Sequence, residues 1–148
     1  MAQVNNCNIV EDLYYWVEKH VWVRPESEDI CVVGMTDVAQ NMAGKVVSVT
    51  PKNVGRKLAR GKSAATIESS KWVGPVPSPV EGEIAEVNQE VVSNPVLLNE
   101  SPYGDGWILK IKVENRNAAL AEMVTGSPGV EAYQTFLDGE GIECKQDK

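Results

Sequence analysis

The sequence predicts one mainly β domain, and three observations support this prediction. The chain has 148 residues, a length that fits a single compact domain. Its hydrophobic residues, 43% of the total, occur in short or alternating runs typical of strands. Turn-forming Gly, Pro and Asn residues punctuate those runs. We expect a single domain over residues 1–148, with a core over about 14–113, C-terminal helices over about 115–138 and a polar tail over 141–148.

Short apolar segments of strand length dominate the chain between residues 20 and 113. The predicted strands are residues 21–24, 29–35, 45–50, 63–68, 80–87 and 107–113. The turn signals are residues 51–55, 60–62, 81–82 and 103–106. The body of the domain is therefore predicted to consist of β-sheet.

Two short helices are predicted within this β body. Thr36 can cap the N-terminus of a helix that runs to Ala43, and Gly44 then ends it. Pro95, directly after Asn94, suits the first position of a single helical turn because its fixed φ is close to the helical value.

After residue 113 the apolar residues recur at helical spacing. Residues 115–124 and 128–137 are predicted as helices, separated by Thr125-Gly126-Ser127. We expect these helices to cover one side of the sheet. The polar tail, residues 141–148, is predicted to be mobile.

The charge and hydropathy of the chain argue against several classes of partner. With 14 Lys and Arg against 21 Asp and Glu, the net charge of −7 repels nucleic acid and anionic lipid surfaces. The apolar runs are far shorter than the roughly 20 residues that cross a bilayer. The N-terminus lacks the basic and apolar regions of an export signal. We expect no nucleic-acid partner, no membrane insertion and a cytoplasmic location.

The cysteines, Cys7, Cys31 and Cys144, are odd in number and show no CxxC spacing. This pattern argues against a zinc knuckle and a disulfide framework, so free thiols are the simplest interpretation. Cys31 lies in an apolar run and is predicted to be a core residue. Cys7 and Cys144 could approach each other if the two ends of the chain meet.

No catalytic constellation or metal site can be named from the sequence. His20 is the only histidine, and its place before a predicted strand favours packing at the edge of the core over catalysis. No Ser or Cys lies in a nucleophile-elbow context. A metal would need His20, Cys31 and carboxylates to converge by chance. The chain is therefore predicted not to be an enzyme.

Basic residues are concentrated between residues 38 and 67, where no acidic residue occurs. They are Lys45, Lys52, Arg56, Lys57, Arg60 and Lys62. Two interpretations are open: a solvated surface, or a docking patch in which Arg56, Lys57 and Arg60 attract an acidic partner.

One segment, residues 66–75, reads as a strand that rises to Lys71 and returns through prolines. A hairpin tip holds its side chain clear of its neighbours. On composition alone a surface lysine has no functional meaning, since most lysines are solvated.

The residues around this hairpin change that assessment, because many of them resemble those of a known family in the same order. The shared elements are Lys19-His20-Val21-Trp22, Val33-Gly34-Met35-Thr36-Asp37-Val38-Ala39-Gln40, Gly44, Val54-Gly55, Gly61, Glu68-Ser69-Ser70-Lys71, Pro79-Val80-Glu81-Gly82-Glu83, Val87-Asn88, Asn94-Pro95-Val96-Leu97-Leu98-Asn99 and Pro102-Tyr103-Gly104-Asp105-Gly106-Trp107-Ile108. Pro79 follows Lys71 by eight residues, the spacing of the family pattern. From about His20 to Ile111 the chain resembles the H-protein of the glycine cleavage system.

The resemblance implies a fold and a cofactor. The fold is a lipoyl-domain-like flattened barrel or sandwich of two antiparallel sheets, with the lysine on a hairpin and helices at the periphery. The cofactor is lipoate, amide-linked to Lys71, on a carrier without catalytic residues of its own. Glu68, Ser70 and Trp72 would then be recognised by a lipoate ligase or lipoyl transferase, or by a partner enzyme. The flexible arm shuttles a bound intermediate between enzymes by raising its effective concentration.

The flank after Lys71 departs from the usual H-protein pattern of small and acidic residues. It reads Trp72-Val73-Gly74-Pro75-Val76-Pro77, and the segments 7–16 and 141–144 are also unusual. These features resemble the lipoate-binding proteins that accompany the heterodisulfide-reductase-like complex of sulfur-oxidising prokaryotes. This likeness implies a carrier of sulfur intermediates whose partners are an iron–sulfur and flavin complex and sulfur-transfer proteins.

Two alternatives to the sulfur carrier stay open. The first is a glycine cleavage H-protein that carries the aminomethyl group and works with the P-, T- and L-proteins. The second is an interaction module without lipoate, which would keep the fold but make no use of Lys71. Trp72 also has two interpretations: its ring folds back, for example onto Val76, and anchors the hairpin, or it shelters the dithiolane or contacts a partner enzyme.

Overall fold

The computed structural model describes residues 2–144, which form three antiparallel sheets and five short to medium helices. The strands are β1 Ala2–Val4, β2 Cys7–Ile9, β3 Tyr14–Trp16, β4 Val21–Pro25, β5 Ile30–Met35, β6 Val46–Pro51, β7 Lys57–Leu58, β8 Ser63–Ser69, β9 Val73–Pro77, β10 Gly82–Val87, β11 Leu109–Lys112 and β12 Val124–Thr125. The helices are α1 Asp37–Ala43, α2 Gln89–Ser93, α3 Leu97–Glu100, α4 Arg116–Leu120 and α5 Gly126–Glu140, and a 3-10 turn spans Val17–Lys19.

The sheets give the predicted mainly β class. A large sheet has the strand order β12-β3-β4-β5-β11-β10-β7, and a smaller one has the order β6-β8-β9. The β1–β2 hairpin forms a sheet of its own. The sheets stay open and do not close into a barrel. All six predicted strands are present with small shifts of their ends, whereas β1, β2, β3, β7 and β12 were not predicted because they have only two or three residues.

The large sheet is apolar on both faces, and alternation along β4 and β5 assigns the residues to two separate clusters. Val21, Val23 and Val33 point to the core shared with the smaller sheet. Trp22 and Val32 point the other way and pack with the terminal elements. The large sheet is therefore the middle layer of the molecule.

The opposite face of the large sheet is covered by α5, α1 and the β1–β2 hairpin. Tyr133 and Leu137 of α5 are fully buried there, as expected for a helix that covers the sheet. The preceding helix is shorter than the predicted 115–124. It ends at Leu120, because Val124 and Thr125 pair as strand β12 with β3 instead.

The other predicted helices are confirmed with one difference. The Thr36 hydroxyl accepts a hydrogen bond from the Ala39 N–H at 3.2 Å, which caps α1, and Gly44 ends that helix at φ +80°. The helical turn α3 begins at Leu97 and not at Pro95. Asn88 caps α2, a helix that the sequence did not predict. No helix of the described residues is long and apolar enough to span a membrane.

The expectation of free thiols is wrong for Cys7 and Cys144, which form a disulfide with their Cα atoms 5.0 Å apart. The two ends of the described chain meet beside α5, where the Cys144 N–H donates to the Asn5 carbonyl at 2.9 Å. Residues 141–144 are therefore held in place, and residues 145–148 of the predicted tail lie outside the described part. Cys31 is buried as predicted, and burial raises the pKa of its thiol to about 11.

Candidate functional site: the lysine hairpin and its groove

Lys71 lies at the tip of the hairpin between β8 and β9. Backbone hydrogen bonds fix this tip: the Ser69 N–H donates to the Trp72 carbonyl at 2.8 Å, and the Ser70 N–H donates to the Lys45 carbonyl at 3.1 Å. Lys71 itself is exposed. The chain thus presents an accessible amine on a backbone that is anchored at both sides.

The aliphatic stem of Lys71 lies across Gly44, the residue that ends α1. A Cβ atom added to Gly44 would lie 2.9 Å from Cε of Lys71 and 3.4 Å from the Ser70 hydroxyl oxygen. Gly44 also has φ +80°, which other residues rarely adopt. The glycine therefore leaves a shallow cradle for the lysine stem.

Asn99 holds the backbone of this cradle. Its side-chain amide donates to the Gly44 carbonyl at 2.8 Å and to Oε1 of Gln40 at 3.0 Å. Its side-chain oxygen accepts from the Val46 N–H at 2.8 Å. Both polar groups of one side chain thus join the end of α1 to the start of β6, directly under Lys71. In the sequence Asn99 stands out only as part of a shared element, because its role depends on contacts distant in the chain.

A groove of about 540 Å³ begins beside Lys71 and runs between α1 and β9. Met42 and Ala43 line it on the helix side, and Trp72 and Pro77 line it on the strand side. This volume lies within the range of about 300–1,000 Å³ typical of small-molecule sites. The hairpin lysine therefore stands next to a space that can receive a group attached to it.

His20 also lines this groove. The His20 ring stacks on Tyr133 with centroids 6.0 Å apart and meets Phe136 edge-on at 5.3 Å. Its Nδ1 lies 3.4 Å from the Tyr133 hydroxyl. Burial lowers the pKa of His20 to about 4, so the ring is neutral at physiological pH. His20 packs at the edge of the core as predicted.

Trp72 folds back along its own hairpin. Its indole covers Gly74, where an added Cβ would lie 2.1 Å from ring atom Cζ2. The residue is nonetheless 42% exposed. The ring thus both packs on the strand and presents a surface beside Lys71. Glu68 and Ser70, the other predicted recognition residues, are exposed close to the tip.

Strand β9 forms one edge of the smaller sheet. Because the Ser69 N–H bonds to the Trp72 carbonyl, alternation makes Ile67 and Gly74 the next hydrogen-bonded pair and places Pro75 opposite Thr66 in a non-bonded one. The missing N–H of Pro75 thus falls on the outer side of the strand. Pro75 is therefore accommodated without loss of a ladder bond, as an edge position requires.

The basic residues divide into two groups. Arg56 and Lys57 are exposed at β7, the edge of the large sheet. The Arg60 guanidinium is engaged within the molecule, since it forms an ion pair with Glu122 at 3.2 Å and donates to the Pro79 carbonyl at 3.1 Å. These three basic residues lie on β7 of the large sheet or next to it, whereas the lysine tip belongs to the smaller sheet. The described residues contain no cluster of His, Cys, Asp and Glu that could hold a metal.

Comparison with known proteins agrees with this geometry. A family model described as "Glycine cleavage H-protein" matches residues 13–136. The "Probable glycine cleavage system H protein 2" of Sulfurisphaera tokodaii is 50% identical over 148 residues, which cover 99% of each chain. The "Glycine cleavage system H protein 5" of Aquifex aeolicus is 44% identical and covers 97% of this chain and 99% of its own.

A solved structure shares the fold. The glycine cleavage system H protein from Mycobacterium marinum superposes with a TM-score of 0.73 at 28% identity, and the match covers 90% of this chain and 100% of that one. Proteins of this family carry lipoate on a lysine and act as carrier subunits, not as catalysts. On the family match and the relatives, this chain belongs to the glycine cleavage H-protein family.

Proposed function

We propose that this protein is a lipoyl carrier with lipoate amide-linked to Lys71. The observation that carries the proposal is the combination of an exposed lysine on an anchored hairpin tip, a glycine cradle under its stem and a groove beside it. Lipoate supplies a cyclic disulfide that opens to a dithiol and can accept and release a group.

The residues of the chain would position this arm. Gly44 leaves room for the lysine stem, and Asn99 fixes the backbone of Gly44. Apolar side chains of the groove, among them Met42 and Trp72, offer the arm a partly dry resting place. We infer that Glu68, Ser70 and Trp72 are read by the lipoate ligase, because they are exposed around the modified residue.

The proposal is tested by mass spectrometry after incubation with a lipoate ligase. We expect one lipoyl adduct at Lys71 and none on Lys45, the nearby lysine that makes a suitable internal control. Lipoate on another lysine, or no adduct at all, would contradict the assignment. The second outcome would favour the interaction module without lipoate.

For the pathway, the names of the relatives favour glycine cleavage with the P-, T- and L-proteins as partners. A sulfur carrier remains the second candidate, and a specific feature favours it: the aromatic and proline-rich flank from Trp72 to Pro77. Three numbered H proteins of Aquifex aeolicus, named 2, 3 and 5, match this chain. Such paralogues are compatible with carriers that serve different enzymes.

Reconstitution decides between these pathways. Lipoylated wild-type protein should support glycine-dependent turnover with P-, T- and L-proteins if glycine cleavage is its task. A sulfur carrier should instead fail in that assay and accept sulfur from a sulfur-transfer protein or the heterodisulfide-reductase-like complex. Replacement of residues 72–75 by a small and acidic flank should then improve glycine cleavage, and Trp72→Ala should impair the sulfur reaction.

We also infer that the carrier works in the cytoplasm. The Cys7–Cys144 bond then belongs to the unusual class of intracellular disulfides, which are common mainly in hyperthermophiles. Cell fractionation tests the compartment, and thiol blocking during isolation then reports whether the two cysteines are paired there.

A further inference from the structure

The Trp72 indole occupies the side-chain space of another residue. Side chains alternate along a strand, so Gly74 and Val76 face the same side of β9. The indole of Trp72, the residue just before this strand, lies on that side too. Val76 is buried in the core on that side, and the partner of Gly74 across the ladder is the fully buried Ile67. A Cβ on Gly74 would lie 2.1 Å from Cζ2 and 2.7 Å from Cε2 of the indole. The ring fills the vacancy that the glycine leaves.

The same ring lines the groove, as does the neighbouring Lys71. On the opposite side the groove is lined by Met42 of α1, which is 50% exposed. The indole therefore has two contacts with different consequences: the contact with Gly74 fixes its position, and the groove contact limits the space around an arm on Lys71.

We infer that Gly74 is a positioning residue, because its missing side chain leaves the space in which the Trp72 indole is held as one wall of the groove. We call this position of the ring over Gly74 the seat. The seat determines how far an arm on Lys71 is screened from small reagents in solution. The inference rests on the proposed lipoylation of Lys71. It extends that proposal to Gly74, which takes no part in the backbone hydrogen bonds named above for the lysine tip. Any side chain at position 74 meets the ring far inside van der Waals distance. The ring must then leave its position over Gly74.

A structural interpretation competes with this inference. An aromatic side chain that covers a strand glycine can stabilise a sheet without any effect on function. In that case a substitution of Gly74 changes the unfolding midpoint and leaves the environment of the arm unchanged. The experiments must therefore measure both the ring and the arm.

The first experiment uses unlipoylated protein and tests the seat alone. Indole ¹⁵N NMR resolves the four tryptophans, and the Trp72 signal is identified by its absence from Trp72→Phe. We expect a shifted and more mobile Trp72 signal in Gly74→Ala. Gly139→Ala is the matched control, because nothing lies within 4 Å of an added Cβ there. An unchanged Trp72 signal in Gly74→Ala would show that Gly74 does not hold the ring in its position and would overturn the inference.

The second experiment measures the screen on lipoylated protein. A water-soluble phosphine reduces the lipoyl disulfide to two thiols; the phosphine is oxidised to its oxide, and water supplies the oxygen and the two protons. We expect reduction to be faster in Gly74→Ala and in Trp72→Ala by about threefold to tenfold, the range for loss of one aromatic contact. Gly139→Ala should match the wild type.

A double variant separates positioning from an independent effect. If Gly74 acts through Trp72, Gly74→Ala should add nothing in the Trp72→Ala background. Equal rates in the wild type and both single variants, with the Trp72 signal displaced, would overturn the screening role. Missing lipoate at Lys71 in the mass spectrum would refute the proposed function instead, and the NMR result on the seat would stand by itself.

Discussion

The guanidinium carbon of Arg60 lies 3.8 Å from the centroid of the Trp16 ring. This contact joins the loop after β7 to strand β3. The same guanidinium donates a hydrogen bond to the Pro79 carbonyl and forms an ion pair with Glu122. Its donor and its charge therefore have partners within the molecule. Arg60 thus differs in kind from Arg56 and Lys57, although all three belong to one basic stretch of the sequence.

This difference predicts two responses to charge reversal. Arg60→Glu should lower the free energy of unfolding by about 1–3 kcal/mol, because it removes a cation–π contact and leaves a carbonyl unpaired. Arg56→Glu and Lys57→Glu should change it by less than about 0.5 kcal/mol. Denaturant unfolding of the three variants checks this order.

The functional part of the same prediction concerns association. If Arg56 and Lys57 steer an acidic partner, their reversal should slow binding and weaken its dependence on salt. Stopped-flow measurements with the ligase and with each partner enzyme test this. Rates that stay at the wild-type value with all of them would identify the two residues as a solvated surface.

Lys71→Arg should abolish lipoylation and carrier activity while the fold stays intact. Arginine keeps the charge but has no primary amine for the amide. Because the side chain is exposed, the free energy of unfolding should change by less than about 0.5 kcal/mol. Intact mass, turnover with partner enzymes and thermal unfolding provide the three measurements. An active variant would remove Lys71 from the mechanism.

His20 should make stability depend on pH between about 4 and 6.5. Burial lowers its pKa from 6.5 to about 4 in the folded state, so in this window the unfolded chain binds the proton more readily. Stability should therefore fall as the pH decreases from 6.5 to 4, by up to about 3 kcal/mol, and this contribution should be constant below that window.

The matched variant for His20 is Asn, because the residue has φ +57° and asparagine tolerates this conformation. The carboxylates contribute equally to the pH dependence of both proteins. Once this contribution is subtracted, His20→Asn should lose less stability than the wild type between pH 7 and pH 4.5. An identical pH profile for the two proteins would show that His20 does not titrate as its burial requires.

The Cys7–Cys144 disulfide should be a major source of stability. It closes a loop with a sequence separation of 137, for which the chain-entropy model gives up to about 5 kcal/mol. Reductant should lower the unfolding midpoint of the wild type. The Cys7→Ser/Cys144→Ser variant should start lower and not respond, and Cys31→Ser, with the disulfide intact, should respond like the wild type.

The features that could be predicted from the sequence are those with a local signal. The six strands predicted from apolar runs are four to seven residues long in the structure, and Thr36 and Gly44 carry the marks of a helix start and end. The position of Lys71 on a hairpin also follows from its neighbours. What the sequence could not supply depends on contacts distant in the chain.

Three features illustrate this limit. The disulfide depends on both ends of the chain meeting beside α5, which no spacing of cysteines reveals. Val124 fits the helical spacing of the apolar residues in 115–124, but it pairs as a strand because β3 has an open edge at that point. The six basic residues look equivalent in the sequence, and only the fold distinguishes Arg60, which packs on Trp16, from Arg56 and Lys57.

The bond between Cys7 and Cys144 also changes the topology of the molecule, since nearly the whole chain becomes one covalent ring. A protease that cuts a single exposed loop, such as the one that carries Val54, linearises this ring without separating any part from the rest. The nicked protein keeps its mass, apart from one added water, until the disulfide is reduced. A carrier built in this way can lose the continuity of its backbone at one point and still hold its lysine hairpin and both sheets on a single molecule.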